Sequence, residues 1–497
     1  MTDLPRGWAE VPLGEIVDMI RGITFTKAER RDDQALGYVA CLRTSNVQRT
    51  LETHDLAFIP RENVRGDHQF VRSGDVVVSM SNSFELVGKA AIADDEHAGM
   101  TFGAFLAVLR SKAIEPELLL RLFRSEAFLR SLRGTASQTT NIANISAKRM
   151  AELPIVLPPV PEQRRIIAKI GSLTGKSKRA RDQLDHIPRL VEKYKQAVLA
   201  AAFRGDLTRE WAATQPNGVA GGMNALTRVR NERDAARVKG GLRSKGRNRS
   251  VPSKVVDLIK LPRTWTWLTF DDCSWDMTVG HVGPMKDRYI GEGIPFLRSL
   301  NVRANRVELR KVVFIDQTFN DELKKSRLHP GDLVVVRTGE PGVAAVIPPE
   351  LAEANCSDLV ICRLIRSANP HFAAYYMNSD YAKSVVAGFQ VGVAQQHFNV
   401  GAMSEMPLPF APIEEQTEIV RRIEIAFTWI KRLASEATSA RTLIDHLDLA
   451  VLAKAFRGEL VAQDPADEPA SVLLERIRAE RGAAPKAKRG RRAATAD

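Results

Sequence analysis

Residues 197–207, AVLAAAFRGDL, return at residues 450–460 as AVLAKAFRGEL, with nine of eleven positions identical at an offset of 253. A chain that repeats itself over such a distance is expected to fold as two similar bodies, because each copy carries the same specifying pattern. The same offset takes Pro161-Glu162-Gln163 onto Glu414-Glu415-Gln416. Upstream the offset is 257, as after a small loop insertion. There Pro5-Arg6-Gly7-Trp8 meets Pro262-Arg263-Thr264-Trp265, and Gly74-Asp75-Val76-Val77-Val78 meets Gly331-Asp332-Leu333-Val334-Val335. More loosely, LTRVRNER at 226–233 resembles LERIRAER at 474–481. Chance does not keep five such segments in one order.

Each half has a globular part and a helical part. Residues 1–157 and 262–409 carry short apolar runs bounded by Gly, Pro, Asn and Asp. Val76-Val77-Val78 and residues 105–109, 333–336 and 359–364 read as strands, and 116–132 and 370–387 as helices. The fold class is therefore mixed α/β (α+β). In residues 158–205, Ile170, Ser177, Leu184, Val191 and Val198 fall seven apart, with Leu173, Ala180, Ile187, Tyr194 and Ala201 three residues on. Residues 410–459 keep the register through Ile423, Ile430, Ala437, Ile444 and Val451, with Ala426, Leu433, Ala440 and Leu447 beside them. These are a/d seams. Two helices packed each on its own domain would fit, but identical register favours pairing as an antiparallel coiled coil about a pseudo-twofold axis. Pro188 should break or bend the first helix near residues 185–188, and glycine caps each helix at Arg204-Gly205 and Arg457-Gly458. Residues 206–261 read as a basic flexible linker, with room for one short helix near 224–238. Residues 460–497 read as a tail ending in a disordered basic stretch from about 483.

At 497 residues the chain exceeds one ordinary core. Its net charge of +13 points to a polyanion such as nucleic acid, although a merely basic protein fits charge alone. Four scattered cysteines without a CxxC pair suggest free thiols in a reducing cytoplasm and no structural zinc. No signal peptide and no run of about 18 apolar residues is visible, so no membrane partner is expected. Catalytic motifs fail too. In Gly171-Ser172-Leu173-Thr174-Gly175-Lys176-Ser177, a phosphate loop needs glycine where Ile170 stands. No GxGxxG, amino-methyltransferase tetrapeptide, nuclease constellation or GxSxG stands out. No catalytic, metal-binding or cofactor-binding residue is therefore assigned, and no cofactor is expected.

The alternation of two variable domains with two long helices resembles the specificity subunit of Type I restriction–modification systems. So do the helix-opening segments 158–163 and 409–416, the Ala-Phe-Arg-Gly-(Asp/Glu)-Leu exits at 202–207 and 455–460, and the tail Asp464-Pro465 to Ile477. The resemblance covers essentially the whole chain. It implies a noncatalytic subunit whose two target-recognition domains each read one half of a split, asymmetric site in double-stranded DNA. It implies two methyltransferase subunits docked on the helices and tails, and two ATP-dependent restriction–translocase subunits that can join. The docking residues it points to are Phe203, Arg204, Gly205, Phe456, Arg457, Gly458, Leu473, Leu474 and Ile477. The first tail, looser than the second, departs from the pattern. A coiled-coil protein scaffold and a module serving a methyltransferase alone, or a Type II-like fusion, are the competing readings.

Arginine suits guanine, and asparagine or glutamine suits adenine, in the major groove. Three loops after strands offer such residues in the first domain. They hold Arg43, Thr44, Ser45, Asn46 and Gln48; Ser81 and Asn82; and Gln138, Thr139, Thr140 and Asn141. Their counterparts in the second domain hold Arg298, Ser299, Asn301 and Arg303; Arg337 and Thr338; and Gln395, Gln396 and His397. Ordinary polar turns favour the same residue types.

Overall fold

The computed structural model describes residues 4–138, 142–215, 223–242, 248, 251, 260–285, 287–388 and 398–483. Two compact units emerge: Met1–Asp185 with Thr438–Asp497, and His186–Ala437.

In the first unit, the strands Val17–Arg21, Leu106–Ser111, Val76–Ser79 and Ala90–Ile92 lie side by side in that order, all antiparallel. Val76, Val77 and Val78 are all buried, because both faces of this sheet are covered. Val76 and Val78 face one apolar cluster and Val77 the other, the alternation a strand imposes. A second sheet orders Ala57–Pro60, Tyr38–Leu42 and Thr101–Phe102, the last pair parallel. Ala9–Pro12 pairs antiparallel with Pro154–Leu157, which returns the chain to its start before the helix Val160–Leu184.

In the second unit, Ser274–Val279, Leu359–Leu364, Leu333–Val336 and Ala344–Val346 take the same order. The companion sheet orders Val313–Ile315, Ile294–Leu297, Ala354–Cys356 and Arg327–Leu328. Thr266–Thr269 pairs with Pro407–Phe410 just ahead of the helix Ile413–Phe456.

The helix-opening Glu-Gln pair has a structural task in each unit. The Trp8 indole donates to Glu162 at 3.0 Å, and the Trp265 indole donates to Glu415 at 2.9 Å. Burial pushes the Glu162 carboxyl above its ordinary range, against the pull of the Trp8 hydrogen bond. Gln163 accepts from the Glu115 amide at 2.7 Å and donates to the carbonyls of Ala113 and Pro158, both at 3.0 Å. Gln416 repeats this, accepting from Asn369 at 2.8 Å and donating to Ser367 at 3.1 Å and Ala411 at 2.7 Å. Buried amides with every partner in place fix each helix's angle of departure from its domain.

The first helix stops at Leu184 and restarts at Ile187, with Pro188 in the new first turn where its missing N–H removes no intrahelical bond. Arg441 stands at the matching position of Ile413–Phe456, which runs unbroken for 44 residues. Within the first unit, Arg181 pairs with Asp445 at 2.8 Å and Asp448 at 2.6 Å, while Arg441 pairs with Asp185. Ile170, Ser177, Ile423 and Val451 of the leading heptad series are buried. The second series is partly mispredicted: Tyr194 is 62%, Leu433 59% and Leu447 54% exposed. Half-buried Ala434 and Asp448 lie one residue further on. A helix of 3.6 residues per turn drifts from a strict seven-residue repeat, and here the drift moves the buried stripe off the predicted positions.

Residues 206–261 hold the helix expected near 224–238 and a shorter one before it. The helices are Arg209–Thr214 and Met223–Lys239, and the latter docks on its own unit. Val229 enters the core, Arg230 pairs with Asp272 at 2.7 Å, and Glu232 accepts from the Ser367 hydroxyl at 2.6 Å. Arg233, 1% exposed, meets Asp234, Asp271 and Asp272. Part of the basic charge therefore serves internal ion pairs. In the first unit, Ala470–Ala483 packs through Ala470, Leu474 and Ile477. Ala470 donates to the Gly7 carbonyl at 2.9 Å, and Asp467 pairs with Arg165 at 2.6 Å. The basic stretch expected to be disordered lies, from residue 484 onward, outside the described residues. Among the described residues, no helix is long and apolar enough to cross a membrane.

Candidate nucleic-acid interface

Arg43 follows the strand Tyr38–Leu42 and leads into a short turn, Thr44–Asn46. Asn46, 1% exposed, accepts from the Arg43 amide at 2.8 Å and donates to the carbonyls of Glu52 at 2.9 Å and His54 at 3.0 Å. Arg43 donates to the Asp55 carbonyl and pairs with its carboxylate at 2.6 Å. The second unit repeats the clamp. Buried Asn301 accepts from Arg298 at 3.1 Å and donates to Glu308 at 3.0 Å, and Arg298 donates to Lys311 at 2.9 Å. Asp55 and Lys311 both adopt positive φ, 60° and 61°, so the arginine holds a strained corner in each unit. Arg43, Asn46, Arg298 and Asn301 thus hold their loops together, a task that the sequence reading did not assign to them. Asn46→Ala or Asn301→Ala is expected to cost about 1–3 kcal/mol, because carbonyls lose buried donors. Denaturant unfolding measures this. A variant with unchanged stability and a changed DNA site would instead make the side chain a base reader.

Other predicted residues remain accessible. Ser45 and Arg303 are exposed, Arg303 lying 3.8 Å from Glu308, and Thr44, Ser299 and Gln48 are half-buried. Gln48 donates to the Ser45 carbonyl at 2.9 Å and accepts from the Lys89 ammonium. Lys89 escaped the sequence reading, and it joins the first loop to the second, because its carbonyl accepts from the Ser79 amide at 2.9 Å. Arg124 escaped too. It donates to the Arg49 carbonyl, and burial, then the charges of Arg121 and Arg49, lower its pKa. Crowded cations of this kind suit a phosphate.

Ser81 and Asn82 form a short strand that pairs with Ala143–Asn144, which in turn pairs with Ser137–Gln138. The second and third loops therefore make one surface. Thr139, Thr140 and Asn141 lie outside the described residues, as do Gln395, Gln396 and His397. In the second unit, Arg337 donates to Asp358 at 2.8 Å, and the Thr338 hydroxyl donates to the other carboxylate oxygen at 2.8 Å. The structure thus brings the described parts of the loops together within each unit.

The residues expected to dock a methyltransferase fare differently. Phe203 is 1% exposed and meets Phe372 and Tyr376 edge-on at 5.2 and 5.3 Å. Gly205 and Gly458 have φ of +77° and +73°, and a Cβ there would lie 2.4 Å from Pro262 and 2.5 Å from Pro5. Leu474 and Ile477 are buried, and Leu473 and Phe456 pack partly against the same core. Arg204 and Arg457 are exposed but pair with Asp206 at 2.9 Å and Glu459 at 2.8 Å. The apolar members and glycines of the exit and tail motifs pack within their own units, a task the resemblance did not assign to them.

The family model described as Type I restriction modification DNA specificity domain matches residues 5–184. The chain is 27% identical over 500 residues to the Type I restriction enzyme EcoKI specificity subunit of Escherichia coli strain K12, covering 97% of both chains. It is 27% identical over 502 residues to the StySPI specificity subunit of Salmonella potsdam, covering 96% of both. Among solved structures it is similar to the HsdS subunit of Thermoanaerobacter tengcongensis, with a TM-score of 0.56 and 20% identity over 92% of this chain and 98% of that one. A structure described as the basis of complex assembly and conformational transition of the Type I R-M system gives a TM-score of 0.60, also at 20% identity, over 92% and 100%. At that identity the likeness shows a shared mixed helix-and-sheet fold.

Proposed function

We infer that this chain, which belongs to the family of Type I restriction–modification specificity subunits, is the noncatalytic DNA-reading subunit of such a complex. It takes double-stranded DNA, methyltransferase subunits and restriction–translocase subunits as partners, two of each subunit, in the cytoplasm. The observation that carries the reading is the recurrence, in both units, of the strand order Val17–Arg21, Leu106–Ser111, Val76–Ser79, Ala90–Ile92 with polar loops at equivalent strand ends. Two such domains with different loop residues suit a bipartite, asymmetric site, each domain reading one half. The same recurrence supports an internal duplication of a target-recognition domain and spacer helix. Antiparallel pairing of the helical segments is supported by two ion pairs: Arg181 meets Asp445 and Asp185 meets Arg441, so the second segment descends as the first ascends.

The test is co-expression with the neighbouring methyltransferase gene in a methylation-free host, followed by sequencing of modified bases. Methyl-adenine confined to one split, asymmetric motif is expected. Random methylation, or none from an assembled and competent complex, would refute the reading. Phosphate contacts further predict affinity that falls steeply as salt rises, and a protein scaffold would show no such fall.

A further inference from the structure

The two units place different chemistry at one equivalent backbone position. In the first, Ser79 pairs with Leu106, and the next amide, that of Met80, donates to the Phe105 carbonyl at 2.8 Å. In the second, Val336 pairs with Leu359, so Arg337 stands opposite Asp358 in the same register. The next contact also matches: the Met80 carbonyl accepts from the Ile145 amide at 2.8 Å, and the Arg337 carbonyl accepts from that of Phe398 at 3.1 Å. Met80 corresponds to Arg337, and Phe105 to Asp358.

The side chains diverge. Met80 is buried and Phe105 is 65% exposed. Phe84 and Ile142, flanking the Asn82–Ala143 pair, are 45% and 48% exposed. The Met80–Phe105 and Met80–Ile145 backbone bonds and the Asn82–Ala143 pair bring these exposed side chains to one set of loops, an apolar group that calls for an occupant. It is continuous with Ser81 and Asn82 of the candidate interface, in a chain of net charge +13, so the occupant that fits is duplex DNA. In the second unit Asp358, itself at φ +52°, receives both Arg337 and Thr338 and so fixes the guanidinium. A held guanidinium matches guanine O6 and N7, whereas an exposed phenyl ring matches the thymine methyl group.

We propose, resting on the DNA-reading function above, that Phe105 with Phe84 contacts a thymine methyl in one half-site while Arg337, held by Asp358, reads a guanine in the other. This pair of equivalent positions makes the two half-sites chemically unlike.

The test compares the unmodified complex with complexes carrying Phe105→Ala, Arg337→Gln or Asp358→Asn, using the methylated motif as the readout. Phe105→Ala should lower discrimination for thymine at one position of one half-site by roughly ten-fold or more, and the other half-site should keep its sequence. Arg337→Gln and Asp358→Asn should do the same to one guanine of the opposite half-site. An unchanged motif in all three variants overturns the proposal and leaves the DNA-reading function standing, whereas no split motif from the unmodified complex overturns both. If a variant methylates nothing, competition among single-base-substituted duplexes decides. Loss confined to one base pair supports the proposal, and equal loss on every duplex overturns it.

Discussion

Phe203→Ala is expected to lower the stability of the second unit by about 3–5 kcal/mol, the usual cost of deleting a buried aromatic ring. Phe203 ends the helix Ile187–Phe203 inside the core that also holds Trp265, Phe372 and Tyr376. Its edge-on contacts with Phe372 and Tyr376 add specific geometry to area burial, and no small movement of a helix terminus refills that volume. A loss of this size is a large share of the 5–15 kcal/mol that holds a typical domain together. Denaturant unfolding should show an earlier transition for the second unit. Methyltransferase binding should fall only as folding falls. If the transition stays put and binding alone disappears, Phe203 belongs to a docking face after all. Phe456, at the equivalent position of the first unit, is only half-buried and should cost less.

The contrast shows which parts of this molecule its sequence carries openly. Val76-Val77-Val78 and residues 333–336 are legible because a strand covered on both faces needs an unbroken apolar run. Pro188 is legible because its ring forbids a helix interior. The Glu-Gln pairs at 162–163 and 415–416 are visible as repeats, but their tasks are not. Gln163 reaches Ala113 across 50 positions, and no local pattern encodes that partner. The loop-holding task of Asn46 and Asn301 is hidden for a physical reason: an amide that suits adenine suits a loop carbonyl equally well, and no sequence pattern separates the two uses. The helix Met223–Lys239 is legible near 224–238, but its docking is not, because it presents few apolar residues and anchors itself largely through Arg230, Glu232 and Arg233. The packing of Ala470–Ala483 is hidden because only Ala470, Leu474 and Ile477 reach the core. Arg478 meets Glu15 at 2.9 Å, 463 positions away. Phe105 escaped for the opposite reason, since a search for polar base readers passes over an exposed phenyl ring.

Truncation after Leu460 is expected to destabilise the first unit before it weakens any assembly. The cut removes Leu474 and Ile477 from the core, together with Ala470. Full burial of a large aliphatic side chain contributes about 1.5–3 kcal/mol, so the two together contribute roughly 3–6 kcal/mol. The cut also strips Arg165 of Asp467 and the Gly7 carbonyl of its donor, while the exposed Arg478–Glu15 pair adds little. What remains is an apolar face on the first unit, where Leu13, Ile16 and Val11 lie in the same cluster. Such a face should promote aggregation as well as early unfolding. The double variant Leu474→Ala, Ile477→Ala in the full chain separates burial from length, because it keeps every residue of the tail in place. Loss of the first unit's transition in both proteins, with the second unit's transition unmoved, identifies the tail as part of that unit's core. A truncated chain that melts like the intact one and fails only to hold the methyltransferase would instead make the helix a partner's seat whose packing at home is dispensable.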